Sequence, residues 1–224
     1  MISPPVVQLQ HVSKSFGPPE NETPVLRSVD LTIRPGDKAS LVGPSGSGKS
    51  TLLSLIAGLL RPSAGTIEVD GVGMSDLDDR HRAQLRAQRI GIALQADNLI
   101  PFLSARENVE VALAFGGRRS RREARARALH LLDRFDVAHR ADLRPRHLSG
   151  GEAQRVALAV SMANEPALLL ADEVVAQLDR TTATRVVDEV LNADFAVLFV
   201  SHDIALADLV DHRFELVDSE LVAR

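Results

Sequence analysis

Short apolar stretches alternate with amphipathic stretches along the chain, which predicts an α/β fold. Residues 6–12 and 25–33 alternate apolar and polar side chains, as half-buried strands do. Residues 167–171 and 195–200 are almost wholly apolar, which is typical of parallel strands buried on both faces. Further strands are predicted over residues 38–42, 66–71 and 89–94.

Helices are predicted where the apolar positions follow a helical period or form a longer apolar run. One covers residues 51–60. Residues 104 to about 163 are helical in pattern throughout. Two more helices are predicted over residues 179–192 and 203–210, between and after the last apolar strands.

Residues 118–127 carry a run of arginines at the start of an amphipathic helix, at positions 118, 119, 121, 122, 125 and 127. The predicted apolar face of this helix includes Leu129, Leu132 and Phe135. Such a run fits an acidic partner or a lipid surface, but a solvated helix face is the favoured interpretation.

Composition narrows the class of protein. The chain has 224 residues, 45% of them hydrophobic, so one large domain with an aliphatic core is expected. It has no Cys, so no disulfide can form, and its net charge of −4 argues against a general nucleic-acid binder. The first residues lack the pattern of a signal peptide, and the apolar run around residues 52–60 is too short to span a bilayer. We therefore expect a soluble protein whose membrane role, if any, comes through a partner.

Residues 43–50 are the most informative segment, because they fit the phosphate-binding pattern G-x-x-x-x-G-K-S/T at every fixed position. Glycines let backbone amides surround phosphate oxygens, while Lys49 reaches the β- and γ-phosphates and Ser50 ligates Mg²⁺. The loop lies between a predicted strand and a predicted helix, so the helix N-terminus faces the phosphates. A flexible linker would not carry Lys-Ser at this spacing. The pattern predicts binding of a nucleoside triphosphate through Gly43, Pro44, Ser45, Gly46, Ser47, Gly48, Lys49, Ser50 and Thr51.

Two further segments complete an ATPase pattern. The apolar run 168–171 ends in Asp172 and Glu173, where Asp172 can hold Mg²⁺ through water and Glu173 can polarise the attacking water. In residues 148–155, Ser149 can cap the following helix, and Gly150 and Gly151 leave backbone amides free for an anion.

With the segment Leu148-Ser149-Gly150-Gly151-Glu152, the chain resembles the ATP-binding cassette ATPases over nearly its whole length. The resemblance implies a role for each matching residue. Phe16 would stack on adenine, Gln95 would contact Mg²⁺, and His202 would lie near the γ-phosphate. Ser149, Gly150, Gly151 and Glu152 would face the γ-phosphate of the other subunit. Glu173 would be the catalytic carboxylate, and residues 177–179 would communicate across the dimer.

The resemblance also implies an architecture: one cassette over residues 1–224, built as a P-loop α/β core with an N-terminal antiparallel β subdomain and an α-helical signature subdomain over residues 96–166. ATP hydrolysis by a head-to-tail homodimer would drive a separate transmembrane permease from the cytoplasmic face of the membrane. Residues 85–91, 98–101 and 107–109 are similar to cassettes of the macrolide-export and lipoprotein-release type. The apolar side chains of Leu99, Ile100, Phe102 and Leu103 are candidates for the permease contact or for the core of the subdomain.

Two departures from the family pattern concern the hydrolysis rate. Val174-Val175 stands where Pro-Thr usually follows the catalytic Glu, and Val160 stands where the signature helix usually has Arg. An alternative function is a regulatory ATPase that signals through a membrane protein without moving a substrate, as the cell-division cassettes do. A soluble cassette in translation or DNA repair is less compatible, because the chain has one cassette and no long heptad run. A lipoprotein, a macrolide-like drug, a peptide or haem would all be compatible as transported substrate.

Overall fold

A computed structural model describes residues 4–93, 99–117, 119–172, 180–200 and 209–223. The chain divides into two units, one formed by residues 1–86 and 194–224 and the other by residues 87–193. The strands are β1 (Val7–Phe16), β2 (Thr23–Ile33), β3 (Lys38–Val42), β4 (Ala64–Val69), β5 (Val72–Gly73), β6 (Ile90–Ala93), β7 (Leu168–Asp172), β8 (Ala196–Val200), β9 (His212–Val217) and β10 (Glu220–Ala223). The helices are α1 (Lys49–Ile56), α2 (Asp79–Arg89), α3 (Ala105–Gly116), α4 (Arg121–Arg134), α5 (Gly150–Ser161) and α6 (Arg180–Leu191).

The first unit contains an antiparallel sheet with strand order β2-β1-β4-β5. β1 pairs with β2 in a register that joins Val7 to Ile33, and with β4 in a register that joins Val7 to Val69. Val7, Ile33 and Val69 are almost completely buried, so the alternating pattern of the sequence places one face of this sheet in the core. The N-terminal antiparallel portion is therefore present.

The same unit holds a parallel group in which β3 lies between β8 and β9. Every residue of β8 is buried, and so are the first four of β3, as expected of parallel strands covered on both faces. β10 then pairs with β9 in the antiparallel direction. The loop that follows β3 thus starts from a strand that pairs with a neighbouring strand on each side.

The second unit pairs β6 with β7 in parallel and adds α3, α4 and α5, which contact one another. Capping boxes start all three helices, formed by Ser104 with Glu107, Ser120 with Glu123, and Ser149 with Glu152. In the part of the chain that the structure describes, no helix has both the length and the apolar character that crossing a bilayer requires.

The predicted α/β fold class is confirmed, and one detail of α4 is wrong. Leu132 and Phe135 are buried as predicted, but Leu129 is 36% exposed. The buried stripe runs through Ala128, Leu131 and Leu132 to Phe135, which is the spacing i, i+3, i+4, i+7. Leu129 follows Ala128 by one residue. Successive side chains of an α-helix are about 100° apart around its axis, so the Leu129 side chain points away from the buried stripe.

Candidate nucleotide-binding site

The phosphate loop, residues 43–48, connects the buried strand β3 to the N-terminus of α1. Gly43 and Gly48 adopt φ values of +152° and +106°, which disfavour any residue with a side chain. A Cβ on Gly43 would lie 2.5 Å from the carbonyl oxygen of Leu216, and one on Gly48 would lie 3.0 Å from Cγ1 of Val25. The packed strands behind the loop therefore allow only glycine at these two positions, and the loop keeps its backbone path.

Lys49, the first residue of α1, lies across the loop. Its Nζ donates to the carbonyl oxygens of Gly43 and Pro44, at 2.8 Å and 2.7 Å, and only 8% of the residue is exposed. An ammonium group has three donors, so a third remains for an oxygen bound in the loop. The positive charge is thereby held at the N-terminus of α1, where the helix dipole also favours an anion.

Ser47 adds a buried polar group to this loop. Its hydroxyl is buried and has no hydrogen-bond partner among the described residues. It lies 2.9 Å from the point that a Cβ of Gly43 would occupy, on the side of the loop where the carbonyl oxygen of Leu216 also lies. A buried hydroxyl without a partner is unfavourable by about 1–3 kcal/mol. The fit to a phosphate group rests instead on Lys49, which has a third donor left beside the backbone amides of the glycine-containing loop.

The signature segment forms the start of α5. The capping predicted for Ser149 is present: its Oγ accepts from the backbone N–H of Glu152 at 3.3 Å, and the Glu152 carboxylate accepts from the backbone N–H of Ser149 at 2.8 Å. The other carboxylate oxygen accepts from Nε of Arg140 at 2.8 Å. The side chains of Ser149 and Glu152 thus cap the N-terminus of their own helix. The backbone N–H groups of Gly150 and Gly151 have no partner within the helix and can donate to an anion.

Glu152 has a depressed pKa of about 2, because the backbone N–H of Ser149 and the Arg140 guanidinium stabilise the carboxylate. A group whose pKa falls on folding stabilises the native state above its unfolded pKa and loses this contribution as the pH falls. For Glu152 the loss runs from about pH 4.5 down to about pH 2.

We therefore expect Glu152→Gln to lower the free energy of unfolding near neutral pH, with a deficit that shrinks as the pH falls from about 4.5 toward 2. Urea unfolding of both proteins at a series of pH values measures it. Glu20→Gln is the control, because the Glu20 side chain is exposed and has no ion pair among the described residues. A deficit that stays constant over this range would contradict the assignment of the contacts.

Phe16 and Asp172 are the other predicted site residues that the structure describes. Phe16 ends β1 with 42% exposure, and Nζ of Lys14 lies 4.9 Å from the centroid of its ring. The sequence analysis did not predict the contact of Lys14 with Phe16, although the two residues are two positions apart on a strand and therefore share a face. Asp172 follows four buried residues at the end of β7.

The structure brings the loop residues together in the first unit, and it places Asp172 and the signature segment in the second. Four further predictions, on Gln95, Glu173, residues 177–179 and His202, lie outside the described residues. Among the residues that are described, no group of three His, Asp or Glu side chains forms a metal centre. The Mg²⁺ ligands Ser50, Gln95 and Asp172 thus stay a prediction.

Three comparisons with known proteins agree with this geometry. The family described as "ABC transporter" matches residues 26–176. The chain is 40% identical to the lipoprotein-releasing system ATP-binding protein LolD 2 of Caulobacter vibrioides, covering 98% of both chains. It is 37% identical to the macrolide export ATP-binding/permease protein MacB of Marinobacter nauticus, over 97% of this chain and 34% of that protein.

The fold also matches that of a solved ATP-binding cassette. A dimeric, post-hydrolysis state of the ATP-binding cassette MJ0796 bound to ADP and Pi superposes with a TM-score of 0.92 at 37% identity, covering 97% of each chain. The chain therefore belongs to the ABC transporter family and is an ATP-binding ATPase of its macrolide-export and lipoprotein-release type.

Proposed function

We propose that the chain hydrolyses ATP as a head-to-tail homodimer and thereby drives export or release of a substrate by a separate permease subunit. The observation that carries this proposal is the phosphate loop, with two conformationally fixed glycines and with Lys49 held across its carbonyls. An ordinary turn between a strand and a helix does not require these features.

We assign the candidate site residues of the first unit to holding the nucleotide. Phe16 presents an exposed ring on which adenine can stack. The loop amides and the free donor of Lys49 hold the β- and γ-phosphates, and the N-terminus of α1 adds its partial positive charge. Since these groups are fixed before the nucleotide arrives, little reorganisation opposes binding.

We assign the chemical step to Glu173. Its carboxylate accepts a proton from a water molecule as the water oxygen bonds to the γ-phosphorus. The bond from that phosphorus to the β,γ-bridging oxygen breaks, and ADP and inorganic phosphate are the products. Gln95 and His202 orient the water and the γ-phosphate.

Mg²⁺ suits the donor set that we assign to it, namely the hydroxyl of Ser50, the amide oxygen of Gln95 and the carboxylate of Asp172. All three are oxygen ligands, which this ion prefers. When bound, Mg²⁺ neutralises charge that develops on the phosphate oxygens. Ser50 is the second residue of α1, next to Lys49, so its place on that helix suits this role.

Head-to-tail pairing would place the signature segment of one chain over the nucleotide of the other. The free amides of Gly150 and Gly151 at the start of α5 support this, because they can donate to a γ-phosphate that another chain holds. The MJ0796 cassette, which is similar over nearly its whole length, is dimeric with ADP and Pi.

The contact with the permease is proposed to centre on Phe102. Its side chain is 69% exposed, whereas Leu99, Ile100 and Leu103 are half-buried. Single exposed apolar side chains are common on protein surfaces, so this exposure shows only that Phe102 is available to a partner. The exposure of Phe102 favours a contact over a place in the subdomain core, and the subunit would then act at the cytoplasmic face of the membrane.

Phe102→Glu should weaken assembly with the permease at least about tenfold, because the charge would be buried in the contact. Nucleotide affinity should stay unchanged, since Phe102 lies outside every ATP-binding segment. Phe115→Glu is a matched control, because Phe115 is 71% exposed and lies at the other end of α3. Co-purification with the permease measures assembly. Equal losses for both variants, or none for Phe102→Glu, would contradict the proposed contact.

The transport role itself is tested by reconstituting the chain with its permease in vesicles. We expect the permease to change the rate of ATP hydrolysis and ATP to drive movement of the substrate. Hydrolysis that responds to the permease while no substrate moves would instead support the regulatory alternative.

A further inference from the structure

A strongly charged groove lies on the second unit, where α3 and α4 both contribute to its wall. It has a volume of about 600 Å³ and is lined by four arginines and two glutamates, namely Arg106, Glu107, Glu110, Arg121, Arg122 and Arg125. Pockets of this size usually bind small molecules but are mostly apolar. Because all six lining residues carry a charged group at the end of an aliphatic stem, this groove suits a charged ligand.

On the α3 side of the groove, the charged side chains already have partners within the protein. Arg106 donates to Glu110 at 2.6 Å and to Asp142 at 3.1 Å. Glu107 accepts from the backbone N–H of Ser104 at 2.8 Å in the capping box of α3. The two carboxylates of the groove thus have partners, and neither one neutralises the arginines of α4.

On the α4 side of the groove, the positive charges have no such partners among the described residues. Arg121, Arg122 and Arg125 are exposed, and none of them forms an ion pair or a side-chain hydrogen bond among the described residues. They repel one another, and they occupy the N-terminal part of a helix, where the macrodipole disfavours positive charge. This arrangement opposes helix formation, and an anion in the groove would relieve both unfavourable terms.

We propose that this groove binds a phosphate group, through Arg121, Arg122 and Arg125. A phosphate offers up to two negative charges and three acceptor oxygens, so it can be shared by three guanidinium groups. A peptide carboxylate offers one charge and two oxygens, which is less than three guanidinium groups can share. The site belongs to the second unit, apart from the phosphate loop, and does not depend on the proposed transport role.

The phosphate can belong to a soluble compound or to a lipid headgroup, and two measurements separate these sources. Pyrophosphate is titrated calorimetrically into protein saturated with ADP, which occupies the phosphate loop. Vesicles of phosphatidylcholine with and without phosphatidic acid are tested by co-flotation of the same ADP-saturated protein, with pyrophosphate as competitor.

The test variant replaces all three arginines, R121S/R122S/R125S, and keeps the Ser120–Glu123 capping box. The matched control R27S/R34S/R80S removes the same charge from exposed arginines outside the groove. We expect the test variant to lose pyrophosphate affinity about tenfold or more and the control to lose less than about twofold. Thermal unfolding checks that both variants fold, and the three single replacements serve if the triple variant does not.

Pyrophosphate binding that depends on the three arginines supports the site. Competed vesicle binding in addition identifies a lipid headgroup as an accessible source, and its absence identifies a soluble one. The proposal is overturned if pyrophosphate does not bind, if both triple variants behave alike, or if vesicles bind without competition from pyrophosphate. It is also overturned if a peptide of ten glutamates binds the groove more tightly than pyrophosphate, because the partner would then be an acidic protein segment.

Discussion

Replacing Lys49 with Ala is expected to lower ATP turnover at least about a hundredfold, which is the typical effect of removing one electrostatic contact to the transition state. Lys49 is the cation that the loop holds at the N-terminus of α1, with its Nζ fixed by the carbonyls of Gly43 and Pro44. Without this charge the loop still presents its amides, but the developing charge on the γ-phosphate has lost its strongest partner.

The same replacement also removes the buried stem of the side chain, and the experiment has to separate this loss of packing from the loss of the ammonium group. Lys49→Met loses the bonds and the charge but keeps most of the buried stem, so it reports on packing. We expect both variants to unfold at nearly the temperature of the unmodified chain and to lose turnover alike. Equilibrium binding of a fluorescent ATP analogue and steady-state phosphate release are the measurements. Normal values for both would contradict the assignment of the phosphate loop.

Replacing Glu173 with Gln should preserve ATP binding and lower turnover by about two to four orders of magnitude. Glutamine has nearly the same shape but cannot accept the proton of the attacking water. Hydrolysis is the event that reopens the dimer, so the variant should also accumulate as an ATP-bound dimer. Size-exclusion chromatography with and without ATP measures this accumulation.

Glu165→Gln is a suitable control for that experiment, since Glu165 has a 71% exposed side chain that pairs with Arg127. It should leave turnover unchanged. If Glu173→Gln retained full turnover, His202 would become the next candidate for the base, and Gln95 the next candidate for positioning the water. The departure Val174-Val175 would then account for a catalytic position that differs from the family pattern.

The sequence predicted the buried parallel strands well, because an apolar run such as 196–200 has few alternatives to burial on both faces. Helix α2 was missed, since residues 79–89 are mostly charged and polar. Its buried residue is Arg82, whose aliphatic stem packs near Gly58, where a Cβ would lie within 3.1 Å of two of its carbons. β9 was missed as well, because only Leu216 of that strand is buried.

For the candidate site, the sequence predicted which residues take part but not how they are held. The pairing of Lys49 with its own loop depends on backbone dihedrals that no spacing rule contains. Arg140 reaches Glu152 from a separate turn, 12 positions earlier in the chain. Contacts of this kind arise only when the chain is folded, which is why the depressed pKa of Glu152 could not be foreseen.

The central claim, that two chains share each ATP site head to tail, is tested most directly by mixing two inactive variants. Ser149→Arg would place bulk and charge against the nucleotide of the partner, whereas Lys49→Ala damages the site of its own chain. A mixed dimer then has one site with both defects and one with neither. At equal amounts, half of the dimers are mixed, so we expect up to about a quarter of the original ATP turnover to return. Turnover in the mixture that equals only the average of the two variants would contradict the shared site.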